Sequence, residues 1–130
     1  MVPAIRTSAL TKSYGSTVVL HPLDLEVERG EVLGYLGPNG AGKTTTIRCL
    51  LGLARASGGR SEIFGIDSQA HPAHAHAHLA YVPSEANLWP GLTGAETLHL
   101  LGRVQGSVDS AYRDELVERF RLDPSKRVRA

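Results

Sequence analysis

Residues 37–46 read GPNGAGKTTT, and the apolar run VLGYL at 32–36 stands directly before them. The stretch fits the spacing G-x-x-x-x-G-K-S/T, with Gly37, Gly42, Lys43 and Thr44 at the fixed points. Successive backbone N–H groups can wrap a dense anion only if no Cβ blocks the turn, which explains the glycines. A helix starting near Gly42 would aim its positive end at the same anion. Lys43 adds a mobile full charge between phosphates, Thr44 offers a hydroxyl to Mg2+, and Thr45 can reach a further phosphate. By chance, the four fixed positions coincide in roughly one chain of this length in a hundred, or fewer. The pattern therefore predicts a loop that holds the phosphates of a nucleotide, placed between a buried strand and a helix.

The flanking sequence predicts the elements around that loop. Residues 4–10 and 17–20 read as short strands, with KSYGS as their turn. Leu23, Leu25 and Val27 alternate with Asp24, Glu26 and Glu28, the period of a half-buried strand. VLGYL is apolar on both faces, as in a buried parallel strand. Ile47, Leu50, Leu51 and Ala54 share one face of a helix that Gly58-Gly59 would stop. SEIFGI and LAYVP read as strands, and HPAHAHAH as a brief helix. Thr93 and Glu96 form a T-x-x-E capping box for a helix carrying Leu98, Leu101 and Val104, ended by Gly106. Tyr112, Leu116 and Phe120 mark a last helix, with Asp109 or Ser110 as its cap, and the polar, basic tail DPSKRVRA reads as a solvated end.

Composition excludes several classes. The chain has 130 residues and a net charge of +1, so nothing electrostatic favours nucleic acid or an anionic membrane surface as partner. Its single cysteine, Cys49, allows no internal disulfide, which fits a reducing, cytoplasmic compartment, and reads as a small buried hydrophobe. No apolar run approaches a bilayer span, so direct membrane insertion is not expected. His71, His74, His76 and His78 crowd eight residues, with His74 and His78 on one face of a helix. Either a metal-binding face or a plain polar face fits them.

LGPNGAGKTTTIRCLLGL strongly resembles the Walker A segment of ABC-type ATPases. LTKSYG resembles the family's A-loop, with Tyr14 as the aromatic that stacks on adenine. LDLEVERGEVLGYLGPNG resembles the strands leading into the P-loop, and LAYVPSEANLWPGLTGAETLHLLGRV the Q-loop and the opening of a helical subdomain. The resemblance runs from residue 5 onward and is greatest to the ATP-binding subunits of bacterial export systems for drugs, antibiotics or lipids. It implies an α/β fold with a P-loop NTPase core, an antiparallel β-rich part and the start of a helical subdomain. The chain would form one portion of one ATP-binding domain, with core 1–82 and Q-loop with helices 83–130. The implied site is Tyr14, Gly37, Pro38, Asn39, Gly40, Ala41, Gly42, Lys43, Thr44 and Thr45 for ATP, with Thr44 on Mg2+. The implied partners are a separate transmembrane permease and a second ATP-binding subunit, on the cytoplasmic face of the membrane. A non-catalytic nucleotide-binding module or gene remnant is the alternative. A soluble relative acting in DNA repair or translation is a third, against which the near-neutral charge speaks.

Two departures stand out. The family's Q-loop glutamine is replaced by Ser84, whose short hydroxyl stem reaches Mg2+ only through a water; neighbouring Glu85 taking over the metal contact, or a plain turn, are the other readings. Trp89 fits a partner contact and local packing equally. Residues 1–130 contain no LSGGQ-like stretch after the last helix, no apolar strand ending in Asp-Glu and no later switch histidine. The resemblance therefore implies an N-terminal piece of the domain, with strand 32–36 presenting an unpaired apolar edge. The isolated 130-residue chain is expected to self-associate; a monodisperse monomer in light scattering contradicts this.

Overall fold

A hairpin formed by β1 (Ile5–Tyr14) and β2 (Thr17–Val27) starts the fold in the computed structural model, which describes residues 1–85 and 87–129. The turn itself is only Gly15-Ser16, shorter than the KSYGS expected, and Tyr14 pairs with Thr17 across it. The segments expected as separate strands at 17–20 and 23–27 are one strand. β2 runs through Pro22 because it lies at the edge of the sheet, where a missing N–H is tolerated. The alternation holds: Leu23 and Leu25 are half-buried and Val27 is buried, while Asp24, Glu26 and Glu28 are exposed.

The chain falls into two units, Met1–Tyr81 and Val82–Ala130. In the first, β3 (Gly58–Ile63) and β4 (Ile66–Asp67) complete an antiparallel sheet of order β2-β1-β3-β4. SEIFGI is thus a hairpin rather than one strand. Phe64 and Gly65, both at positive φ, turn the chain between Ile63 and its partner Ile66. The helix α1 (Lys43–Leu50) packs on β2 and β3, and Cys49 joins Leu10 and Leu20 at the centre of the core. Cys49 is fully buried, and burial pushes its thiol pKa up.

α1 is shorter than its apolar spacing predicts. It ends at Gly52 rather than Gly58-Gly59: the N–H groups of Gly52 and Leu53 bond the carbonyls of Cys49 and Arg48 at 3.0 and 2.9 Å. That pair of bonds is a Schellman stop with glycine at its left-handed position. Ala54, expected on the helix, packs against the core from the following segment. Gln69 secures that segment, its amide donating to the carbonyls of Cys49 and Ala54 and its side-chain oxygen accepting from Ala56 N–H. A short helix, α2 (Pro72–His76), follows, as HPAHAHAH suggested.

The largest departure is VLGYL. Residues 32–36 form no strand and join no ladder among the described residues, and Val32 and Leu36 are 97% and 91% exposed. An apolar run becomes a strand only where neighbours accept and donate its backbone bonds, and the four sheet strands supply none here. LAYVP likewise is irregular, with Tyr81 and Val82 exposed.

The second unit holds α3 (Gly94–Gln105) and α4 (Ser110–Arg119). Both halves of the expected capping box are made: Glu96 N–H donates to Thr93 Oγ1 at 3.2 Å and Thr93 N–H to Glu96 Oε2 at 2.7 Å. The Thr93 N–H bond is the main cause that holds the Glu96 carboxyl below its ordinary pKa. Gly106 ends α3, and Asp109 caps α4 through Tyr112 N–H. The tail is solvated, as expected, its side chains largely exposed, and its backbone also bonds residues 91–95, with Val128 N–H on the Leu92 carbonyl at 2.8 Å and Gly94 N–H on the Lys126 carbonyl at 2.9 Å. No helix among the described residues is long and apolar enough to cross a membrane.

The β1–β3 ladder breaks between Ser8 and Thr11, where Ala9 bulges at φ 46 and Gly59 sits opposite at φ 76. The N–H freed at Ala9 is taken by Asp24 Oδ1 at 2.7 Å, so the bulge is fastened from β2. A Cβ at Gly59 would lie 2.1 Å from the Ala9 carbonyl oxygen. Gly59→Ala is therefore expected to destabilise the fold by about 2–3 kcal/mol, measured as a lowered urea midpoint.

Candidate functional site

The P-loop is a turn locked at both ends. Ala41 N–H closes back on the Pro38 carbonyl at 3.2 Å, and Gly40 and Gly42 take positive φ values of 84 and 87. Gly42 is the N-cap of α1 and has no side chain to satisfy the helix start, so the first-turn N–H groups keep no intrahelical partner. Gly42 must also be small: a Cβ there would come 2.7 Å from the Val19 carbonyl oxygen. Behind the loop, Thr46 is buried, donates its hydroxyl to the Gly42 carbonyl at 2.9 Å, and meets the Tyr35 hydroxyl at 3.2 Å.

These constraints leave a cavity of about 290 Å3 lined by Val19, Asn39, Gly40, Ala41, Gly42, Lys43, Thr44 and Thr45. Small-molecule pockets run from about 300 to 1,000 Å3, so the space suits a phosphate chain better than a whole nucleotide. Its walls carry helix-start N–H groups, two threonine hydroxyls and one ammonium, with no carboxylate among the lining residues. That donor set complements a polyanion.

The expected residues divide into three groups. Asn39 through Thr45 come together on the cavity wall. Gly37 and Pro38 are not among the lining residues, but their carbonyls accept from Lys43 Nζ, at 2.7 Å in the case of Pro38. Tyr14 is not among the lining residues; it ends β1 and is 57% exposed. Ser84 is an exposed residue of the second unit. Val19 was missed by the sequence. Its place in the TVVL strand gave no hint that β2 would contribute to the cavity lining. Mg2+ fits the residues present, since Thr44 is an exposed hydroxyl at the loop–helix junction.

The histidines do not converge. His71 and His74 stack at 6.0 Å, His76 Nε2 bonds the Leu51 carbonyl at 2.6 Å, and His78 sits edge-on to Phe64. No group of three metal-ligating side chains occurs among the described residues.

Loop, helix start and neighbouring strand together have the form of a P-loop protein. Residues 20–130 match the ABC transporter family, and the chain belongs to it. Over 126 residues it is 41% identical to the daunorubicin/doxorubicin resistance ATP-binding protein DrrA of Streptomyces peucetius, covering 95% of this chain and 38% of that one. It is 32% identical to the bacitracin transport ATP-binding protein BcrA of Enterococcus faecalis, over 95% of this chain and 40% of that one. It is 45% identical to the Nod factor export ATP-binding protein I of Cupriavidus pinatubonensis, over 73% of this chain and 29% of that one. A solved ATP-binding subunit of an ABC transporter superposes with a TM-score of 0.83 at 30% identity, covering 95% of this chain and 54% of its own. The chain spans about two fifths of the length of the first two curated relatives.

Lys43 supplies the full charge of the cavity wall. Lys43→Ala is expected to weaken binding of inorganic triphosphate at least about tenfold in titration calorimetry, the loss typical of a charge-assisted contact.

Proposed function

We propose that this chain is part of the ATP-binding component of an ABC-type transporter, in which ATP binding and hydrolysis drive transport through a separate membrane permease. The observation that carries this is the loop cavity at a helix start, lined by Lys43, Thr44 and Thr45 with no carboxylate among its residues. The β- and γ-phosphates lie against the first-turn N–H groups, with the Lys43 ammonium between them. Thr44 holds Mg2+, which neutralises the phosphate oxygens when bound. Thr45 meets the α-phosphate, and Gly37 through Gly42 shape the loop. Tyr14 stacks on adenine, worth about 1 kcal/mol or somewhat more. Ser84, at the Q-loop position, contacts the metal through a water.

Residues 83–130 form the Q-loop and the start of the helical subdomain. The partners are the permease and a second ATP-binding subunit that caps the γ-phosphate, at the cytoplasmic face of the membrane. An export role follows from the names of the relatives: drug resistance, bacitracin transport and Nod factor export. The cargo is set by the permease.

Phosphoryl transfer to water depends on positioning and charge stabilisation, and a cradle alone mostly stabilises the bound ground state. The 130-residue chain is therefore expected to bind Mg-ATP measurably while releasing phosphate no faster than its Lys43→Ala variant. ATP binding indistinguishable from that variant overturns the assignment. Phosphate release clearly above it overturns the restriction to binding.

A further inference from the structure

Lys12 stands two residues before Tyr14 on β1 and takes no part in the phosphate cavity. Its Nζ donates to the Arg55 carbonyl at 2.7 Å and lies 4.5 Å from the centroid of the Tyr14 ring. The next residue is tied to the same segment. Ser13 N–H donates to Ser57 Oγ at 2.9 Å, and the Ser13 carbonyl accepts from that hydroxyl at 3.3 Å. The end of β1 is thus laced to residues 55–57, and the lacing fixes where the ammonium sits.

A cation over an aromatic face is held by the negative π cloud. At Tyr14 it does two things. It occupies one face of the ring, leaving the opposite face to a planar ligand. It also draws electron density through the ring, so that the open face repels an electron-rich purine less. A side chain already held in place loses less rotamer freedom when a base stacks on it.

We propose that Lys12 is a positioning residue for the base of the bound nucleotide, holding the Tyr14 ring with one face presented to adenine. This rests on Tyr14 being the base platform. Lys12 acts only through that ring, so its effect belongs to the base and not to the phosphates.

The test is calorimetric titration of the 130-residue chain with Mg-ATP and with magnesium inorganic triphosphate. Lys12→Met is expected to weaken ATP binding about 2- to 5-fold, the worth of an exposed cation–π contact, with triphosphate binding unchanged. Lys12→Gln, which keeps a donor for the Arg55 carbonyl without the charge, is expected to show the same selective loss. Lys12→Arg restores ATP binding, since a guanidinium also sits on an aromatic face. Adding Lys12→Met to Tyr14→Ala should cost nothing further. An equal loss for both ligands makes Lys12 a tether of the 55–57 segment and overturns the proposal. So does unchanged ATP binding in Lys12→Met and Lys12→Gln when Tyr14→Ala loses ATP selectively, and the platform then stands without Lys12. A Tyr14→Ala variant with no selective loss overturns the platform itself, and the role of Lys12 with it.

Discussion

The start of α1 is pinned to the sheet by a backbone approach that only glycine permits. Gly42 meets the Val19 carbonyl so closely that a Cβ would fall 2.7 Å from its oxygen. That contact sets the helix start beside β2 and makes the strand one wall of the cavity. The other wall follows from it. Thr46 anchors to the Gly42 carbonyl, and Lys43 reaches back to the carbonyls of Gly37 and Pro38. A phosphate cradle must be rigid before its ligand arrives, because ordering a loop on binding subtracts from affinity.

The sheet behind the loop owes much of its rigidity to polar fastening. Among the described residues the largest fully buried side chains are Leu10, Thr46, Cys49, Ser61 and Ser68, three of them hydroxyl-bearing. Ser61 and Ser68 bond each other at 2.7 Å, which satisfies a pair that would be costly to bury alone. Asp24 takes the N–H freed at the Ala9 bulge, and Gln69 joins the C-terminal end of α1 to the segment that follows. Each is a directional bond, so each specifies one arrangement where apolar contact would allow several.

Much of this was legible in the residues. The loop spacing, the Thr93–Glu96 box, Gly106, the Asp109 cap and the alternation over 23–28 all depend on chemistry within a few positions of chain. What misled were features whose meaning depends on neighbours. VLGYL has a strand's composition, yet no ladder forms along it. The apolar spacing of α1 continues past Leu51, but Gly52 in a left-handed turn stops the helix before the Gly58-Gly59 pair. The residues expected as separate strands at 17–20 and 23–27 form one edge strand that runs through Pro22. The histidine run left a metal face and a plain polar face open in the sequence; His71 and His74 stack on each other, His76 bonds the Leu51 carbonyl and His78 meets Phe64.

By itself, the amino-acid sequence determined the phosphate loop, because glycine at the turn, lysine at the helix start and threonine after it are local requirements of holding an anion. It determined the family for the same reason, since those residues and their flanks are read in order along the chain. Only the tertiary structure decided that Val19 walls the cavity, that Gly42 is required by a strand more than twenty residues away, and that Lys12 lies over Tyr14. Those contacts join separate stretches of chain, and backbone pairing and packing between them, not spacing along the sequence, set which atoms meet.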